Sequence, residues 1–372
     1  MKYTQQYTNS ADPIIKRINE LQNQYIKNNK DFSNKLITET LIAKPNFAWD
    51  IADIIRDNTD ANQNMLNKTK NLVWLPYLVK KEILKQYRNE WINWVKHGSC
   101  TSNIPVPPIL WLWQWIFSIL PMVMDGLRKS LWSDTPLQVA VPSPNYQTIN
   151  KVIANNNGWL QKYDVNQSES ELLDAMITLI KNNKIHIMLV NFPNNPTGKI
   201  MTKESLQALI DTANDYNVYL LFDSRYAKIF YDTNKNINPL SLSWASNCVI
   251  QLCDASKDRA YSDLKISHLI GHKEIIADVD AKAKLEDTWV SSVWLKYYLS
   301  MLQKNNDAYF QQMREHYKIK KNHMIALLWE LDCTPIDPDW WLYIWTKIPK
   351  KYHNIKNSSE KFAIDLCNNM WI

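Results

Sequence analysis

The sequence predicts an α/β protein: a three-layer α/β/α body built on a mostly parallel sheet. Three observations carry this expectation. Short apolar runs rich in β-branched residues recur through the middle of the chain, at 185–190, 218–222 and 248–253. Helical patterns stand between them, most clearly from Glu169 to Lys181 and from Lys203 to Tyr216, as consecutive parallel strands require. Each run also ends in polar residues, so chemistry-bearing side chains collect along one edge, where open α/β sheets bind their ligands.

Taken in chain order, the first segment carries a helical pattern through Pro13–Leu21 and a second one to about Leu41. A further helix is expected after Trp74-Leu75-Pro76. From Ile104 to Met124 there are 21 residues without a charge, formally long enough to span a membrane. Pro105, Pro107, Pro108 and Pro121 leave an uninterrupted helix of only about three turns, and Gln114 and Ser118 lie inside it, so the membrane reading is rejected. Val139-Ala140-Val141 reads as a strand that turns at Pro142-Ser143-Pro144-Asn145-Tyr146.

The stretch Asn191-Phe192-Pro193-Asn194-Asn195-Pro196-Thr197-Gly198-Lys199 joins a strand to a helix. Its prolines fix extended or turn backbone before them, and Gly198 permits a conformation other residues resist. The next strand ends in Asp223-Ser224-Arg225-Tyr226, and the one after it delivers Ser256-Lys257 to the same edge. An amide, a carboxylate, a phenol and a lysine therefore converge. Beyond them, residues 290–331 read as long helices, 342–348 as a strand and 359–369 as a helix.

Composition narrows the function. Hydrophobic residues make up 45% and charged residues 22%, an ordinary soluble balance for 372 residues. The net charge of +6 is spread without a basic block, which speaks against nucleic acid as a partner. Five cysteines show no metal-ligand spacing and fit a reducing, cytoplasmic setting. The first residues lack the apolar core of a signal peptide.

The ordered set Asn195, Asp223, Tyr226, Lys257 resembles the class I/II aminotransferases of the aspartate aminotransferase fold, over roughly residues 70 to 372. The resemblance implies a pyridoxal 5'-phosphate enzyme that moves an amino group between an amino acid and a 2-oxo acid, as a homodimer. It implies an N-terminal segment (1–48) contributing to a small α+β domain, a large cofactor-binding domain (49–305) and an incomplete C-terminal part of the small domain (306–372). Lys257 would form the Schiff base and move the substrate proton, Asp223 would face the ring nitrogen, and Asn195 and Tyr226 would hydrogen-bond the phenolic oxygen. Tyr146 matches the aromatic residue that stacks on the ring. Trp111 and Leu112 occupy the turn whose following helix offers backbone amides to the phosphate, with Ser256 and Lys265 as further cofactor contacts.

Several departures stand beside the match. Lys265 replaces an arginine and loses its bidentate fork, and Asp254 stands where a phosphate-binding serine is common. The tyrosine that reaches the neighbouring subunit's phosphate is missing before Trp74, and no residue is assignable to the arginine that grips the substrate carboxylate. A carbon–sulfur lyase or synthase of the same fold, or a non-catalytic binding relative, are the competing readings.

One count is abnormal. Glycine numbers 5 of 372 and tryptophan 17, against a usual glycine share of about 7%. Tryptophans also stand where the family places glycine, at Trp111, Trp113, Trp340 and Trp341. The expectation is that most are glycines written as tryptophan, from a codon with two meanings in different genetic codes; Trp329 and Trp345, inside apolar periodic segments, are expected to be genuine.

Overall fold

The computed structural model describes residues 109–369, apart from 114–115, 132–134, 183–184, 232–234, 255–256, 258–265, 286–297, 300, 303–306 and 339–342. The expected helices before residue 49, the segment at Trp74, Ser256, Lys265, Trp340 and Trp341 lie outside the described residues.

Two compact units divide the chain, one containing the described residues up to Lys318 together with Pro338–Ile344, the other containing Ile319–Asp337 and the segment from Trp345. The first is built on a seven-stranded sheet. Its elements are β1 (Ile109–Trp113), α1 (Ile116–Ser130), β2 (Leu137–Ser143), α2 (Thr148–Asn155), β3 (Gly158–Asp164), α3 (Glu169–Asn182), β4 (Ile187–Val190), α4 (Lys203–Asp215) and β5 (Tyr219–Asp223). The short α5 (Ala245–Cys248), β6 (Val249–Asp254), β7 (Ile266–Gly271) and α6 (Lys273–Leu285) follow. The strands lie in the order β1-β7-β6-β5-β4-β2-β3. Neighbours from β3 to β6 pair in parallel, and β7 runs antiparallel to both β6 and β1.

The sheet is covered on both faces, and the alternation along each strand shows how. In β4, Met188 and Val190 join a core with Leu172 and Met176 of α3 and Leu206 and Leu209 of α4. Ile187 and Leu189 join the opposite core, with Val123 and Leu127 of α1, Ile149 and Ile153 of α2, and Ile275 and Val279 of α6. All four β4 residues are buried, as a strand packed between two helical layers demands. Burying each such aliphatic side chain contributes about 1.5–3 kcal/mol.

The helices obey the same logic. In α1 the buried Ile119, Leu120, Val123, Met124 and Leu127 recur at helical spacing, and Pro121 is accommodated inside it. Arg128 and Lys129 close its last turn, where cations favour the helix dipole. Among the described residues no helix is long and apolar enough to cross a membrane. Helix α4 begins at Thr202, whose side chain accepts the Ser205 N–H at 3.3 Å.

A long helix, α7 (Asp307–Glu330), places its residues from Ile319 onward in the smaller unit, with β8 (Thr334–Pro335), β9 (Thr346–Lys347) and α8 (Ser358–Asn369). Cys333, Tyr352 and Phe362 form that unit's small core, against Leu328, Ile348 and Leu366. The strand expected over 342–348 is shorter than its pattern suggested: among its described residues only Thr346 and Lys347 are strand, paired with Pro335 and Thr334 of β8. Just beyond that pair the Ile336 N–H still donates to the Trp345 carbonyl at 2.9 Å.

Candidate active site

The loop after β4 owes its form to two asparagines. The fully buried Asn194 accepts the Thr197 hydroxyl at 2.7 Å on its side-chain oxygen, and its backbone pairs with Lys199 at 2.8 Å and Gly198 at 2.9 Å. Asn191 accepts the Asn195 N–H at 2.7 Å and donates to the Asp223 carbonyl at 3.4 Å, tying the ends of β4 and β5 together. Gly198 sits at φ 76°, the left-handed region that the sequence expected it to supply. With its backbone thus fixed, Asn195 points its amide at Tyr226 and donates to the phenol oxygen at 3.1 Å.

The end of β5 forms the opposite wall. The Ser224 N–H donates to Leu252 of β6 at 2.8 Å, and Gln251 donates to the Ser224 hydroxyl at 3.0 Å. The chain then turns, so that Asp223, Arg225 and Tyr226 are all buried within four residues. Arg225 folds back on Asp223: its Nε donates to Oδ1 at 2.7 Å and an Nη to Oδ2 at 2.5 Å. Burial works to lower the guanidinium's pKa, but the charge and hydrogen bonds of Asp223 outweigh it and raise it above its ordinary value. Burial pushes the Tyr226 phenol upward more strongly than Arg225 and Asn195 pull it down, so it remains a neutral hydroxyl at neutral pH.

Strand β6 brings in the lysine. Asp254 ends that strand with 3% exposure and accepts the Lys257 backbone N–H at 3.1 Å, in the manner of a helix cap. Burial raises the Asp254 carboxyl, opposed by Arg225, by that hydrogen bond and by the Lys257 charge. Tyr343 completes the group: its hydroxyl hydrogen-bonds Asn195 and feels the charge of Arg225. Tyr146 lies just past β2, two-fifths exposed, and is near enough to act electrostatically on Tyr343.

The structure thus gathers Asn195, Asp223, Tyr226, Lys257 and Tyr146 at one sheet edge. It places Trp111 and Leu112 differently from the expected turn: both lie inside β1, opposite His268 and Ser267 of β7. The reason is antiparallel pairing, which holds the backbone extended through Trp113, so the connection to α1 is confined to residues 114–115, outside the described residues. Arg225 and Tyr343 were not singled out from the sequence. An arginine two residues beyond a strand-end aspartate is a usable signal only once the intervening turn is known.

A family model of the class I and II aminotransferases matches residues 129–371. The chain belongs to this family. Among curated proteins, this class I and II aminotransferase chain is 26% identical to the LL-diaminopimelate aminotransferase of Oleidesulfovibrio alaskensis, over 45% of this chain and 44% of that one. It is 24% identical to the glutamate-pyruvate aminotransferase AlaC of Escherichia coli, over 50% of this chain and 44% of that one. The chain spans about half the length of the curated relatives it matches. Of solved structures, an aspartate aminotransferase mutant of Thermus thermophilus complexed with tryptophan superposes with a TM-score of 0.66 at 17% identity, covering 91% of this chain and 82% of that one. A pyridoxal-phosphate-bound putative aminotransferase of Clostridium difficile gives 0.59 at 15% identity, covering 74% of each chain.

The donor set fits the ring end of pyridoxal phosphate. An amide and a neutral phenol, already 3.1 Å apart, match an anionic phenolic oxygen. The buried carboxylate of Asp223 matches a protonated ring nitrogen, and Lys257 would supply the amine for the aldehyde.

Proposed function

We propose that this protein moves an amino group between an amino acid and a 2-oxo acid with the help of pyridoxal phosphate. The observation that carries the reading is the hydrogen bond from Asn195 to the Tyr226 hydroxyl, made at the sheet edge that also bears Asp223 and Lys257. Pyridoxal phosphate, when bound, supplies an electron-withdrawing ring that delocalises the charge left at a substrate α-carbon.

The chain's own residues would do the rest. Asn195 and Tyr226 would orient the group through its phenolic oxygen, and Asp223 would hold a proton at its ring nitrogen. Tyr146 would press on the ring face. The Lys257 amine would take the proton from the α-carbon and return it to the neighbouring carbon. The relatives' names make LL-diaminopimelate, glutamate and aspartate the donors to try first, and pyruvate the first 2-oxo acid. A homodimer in the cytoplasm is part of the same proposal; the compartment is supported by the buried, reduced thiols of Cys248 and Cys333.

The test is direct. Purified protein incubated with pyridoxal phosphate and reduced with borohydride should carry the cofactor mass on the peptide containing Lys257, and Lys257→Ala should carry none. The same preparation should convert a 2-oxo acid to its amino acid when given one of those donors. Labelling elsewhere, or a labelled protein inert toward every donor, would overturn the site or the activity respectively.

A further inference from the structure

The least expected contact at this edge is the one between Asp223 and Arg225. Both side chains are nearly sealed from solvent, at 2% and 8% exposure, so no water screens their charges. The pair is held by the scaffold: Asp223 ends β5, Ser224 is pinned to β6, and the Ala227 N–H closes the turn onto the Ser224 carbonyl at 3.2 Å. Within that frame the guanidinium uses one nitrogen for each carboxylate oxygen, at 2.7 and 2.5 Å.

We propose that Arg225 is a positioning residue that fixes Asp223 in a two-pronged buried ion pair and thereby weakens the hold of this carboxylate on a proton at the cofactor's ring nitrogen. This rests on the proposed reading of Asp223. A carboxylate retains such a proton mainly by its negative charge, and a guanidinium on both oxygens offsets about one unit of that charge. It also occupies two of the roughly four lone-pair directions, and the Arg225 backbone N–H takes a third, on Oδ1 at 3.5 Å, leaving Oδ2 to accept from the ring.

The other charged and titratable groups facing the pair are Asp254 from β6, Lys257 beyond it, Tyr226 on the same turn and Tyr343 from the 338–344 segment. Among the described residues, two carboxylates, one guanidinium and one lysine thus share this edge, and Arg225 is the cation in direct contact with Asp223. Removing it leaves Asp223 without the cation that it contacts directly. The ring nitrogen should then keep its proton to higher pH and the ring become the stronger electron sink.

The experiment uses the full chain loaded with pyridoxal phosphate whose ring nitrogen is isotopically labelled, following that nitrogen's NMR shift against pH. Arg225→Ala should raise the pH at which the nitrogen loses its proton by about one unit or more. Arg225→Lys, which keeps the charge but not the fork, should fall between it and the wild type; if Arg225→Ala does not fold, the rise in Arg225→Lys alone decides. Equal midpoints in folded, loaded variants and wild type would overturn the role of Arg225 while leaving the cofactor site standing. A wild type that takes up no lysine-linked cofactor would overturn both.

Discussion

Asp254 shows how one residue can set both stability and binding at this edge. Its carboxyl is buried and raised above its ordinary value, first by burial. A raised carboxyl favours the fold fully below the unfolded-state value, and that contribution is lost as pH rises through the folded-state value. Asp254→Asn keeps an oxygen to accept the Lys257 N–H and removes the charge. The variant should therefore be more stable than wild type at pH 7 by about 1 kcal/mol, with the gain vanishing near pH 3, as urea titrations at the two pH values would show. It should also bind pyridoxal phosphate more tightly, because a carboxylate where the family often has a serine repels the phosphate. Equal or weaker affinity would remove Asp254 from the phosphate's neighbourhood. The identity of Asp254 was legible in the sequence; its burial was not, because that depends on how β6 packs between β5 and β7.

At the scale of elements, the sequence pattern located what it had local signals for. The apolar runs at 185–190, 218–222 and 248–253 became β4, β5 and β6 with ends shifted by one or two residues, since strand ends follow their partners rather than their own composition. The β1 strand escaped because its signal, a tryptophan-rich part of the charge-free run, is shared with a turn and a buried helix. The division of labour between Asn194, which ties the loop, and Asn195, which faces the site, was equally invisible: both are asparagines next to each other. Element ends also carry measurable energy. The Thr202 and Ser205 hydroxyls both donate to Glu169 Oε1 at 2.6 Å, joining the starts of α3 and α4. Burial would raise the Glu169 carboxyl, but these bonds outweigh it and hold it below its ordinary value. Thr202→Ala should cost about 1 kcal/mol in urea unfolding. A lowered carboxyl stabilises above its unfolded-state value and loses that contribution as pH falls through the folded-state one, so the cost should shrink in acid. A pH-independent cost would mean that only the cap matters.

Across the whole molecule, the tryptophans and glycines pose a single question. Five described residues other than glycine adopt the left-handed backbone: Asn157, Asn217, Asp332, Asn357 and Trp244. Four are types that tolerate it, and Trp244 is not. Its indole is 71% exposed, so no packing is gained in return for a conformation at φ 58°. Trp159 and Trp329 are also mostly exposed, at 62% and 56%, although Trp329 stands in an apolar periodic segment. Conversely, a Cβ on Gly271 would stand 2.4 Å from the Val249 carbonyl oxygen, so a surviving glycine sits where nothing larger fits. Tryptophan at 244 should therefore be a strained stand-in: Trp244→Gly is expected to stabilise the fold by about 1 kcal/mol, and an unchanged or lower urea midpoint would refute the strain. The protein isolated from its own host should then show the mass of glycine at 244, and likewise at 111, 113, 340 and 341. Tryptophan at 244 would mean that the chain bears the strain.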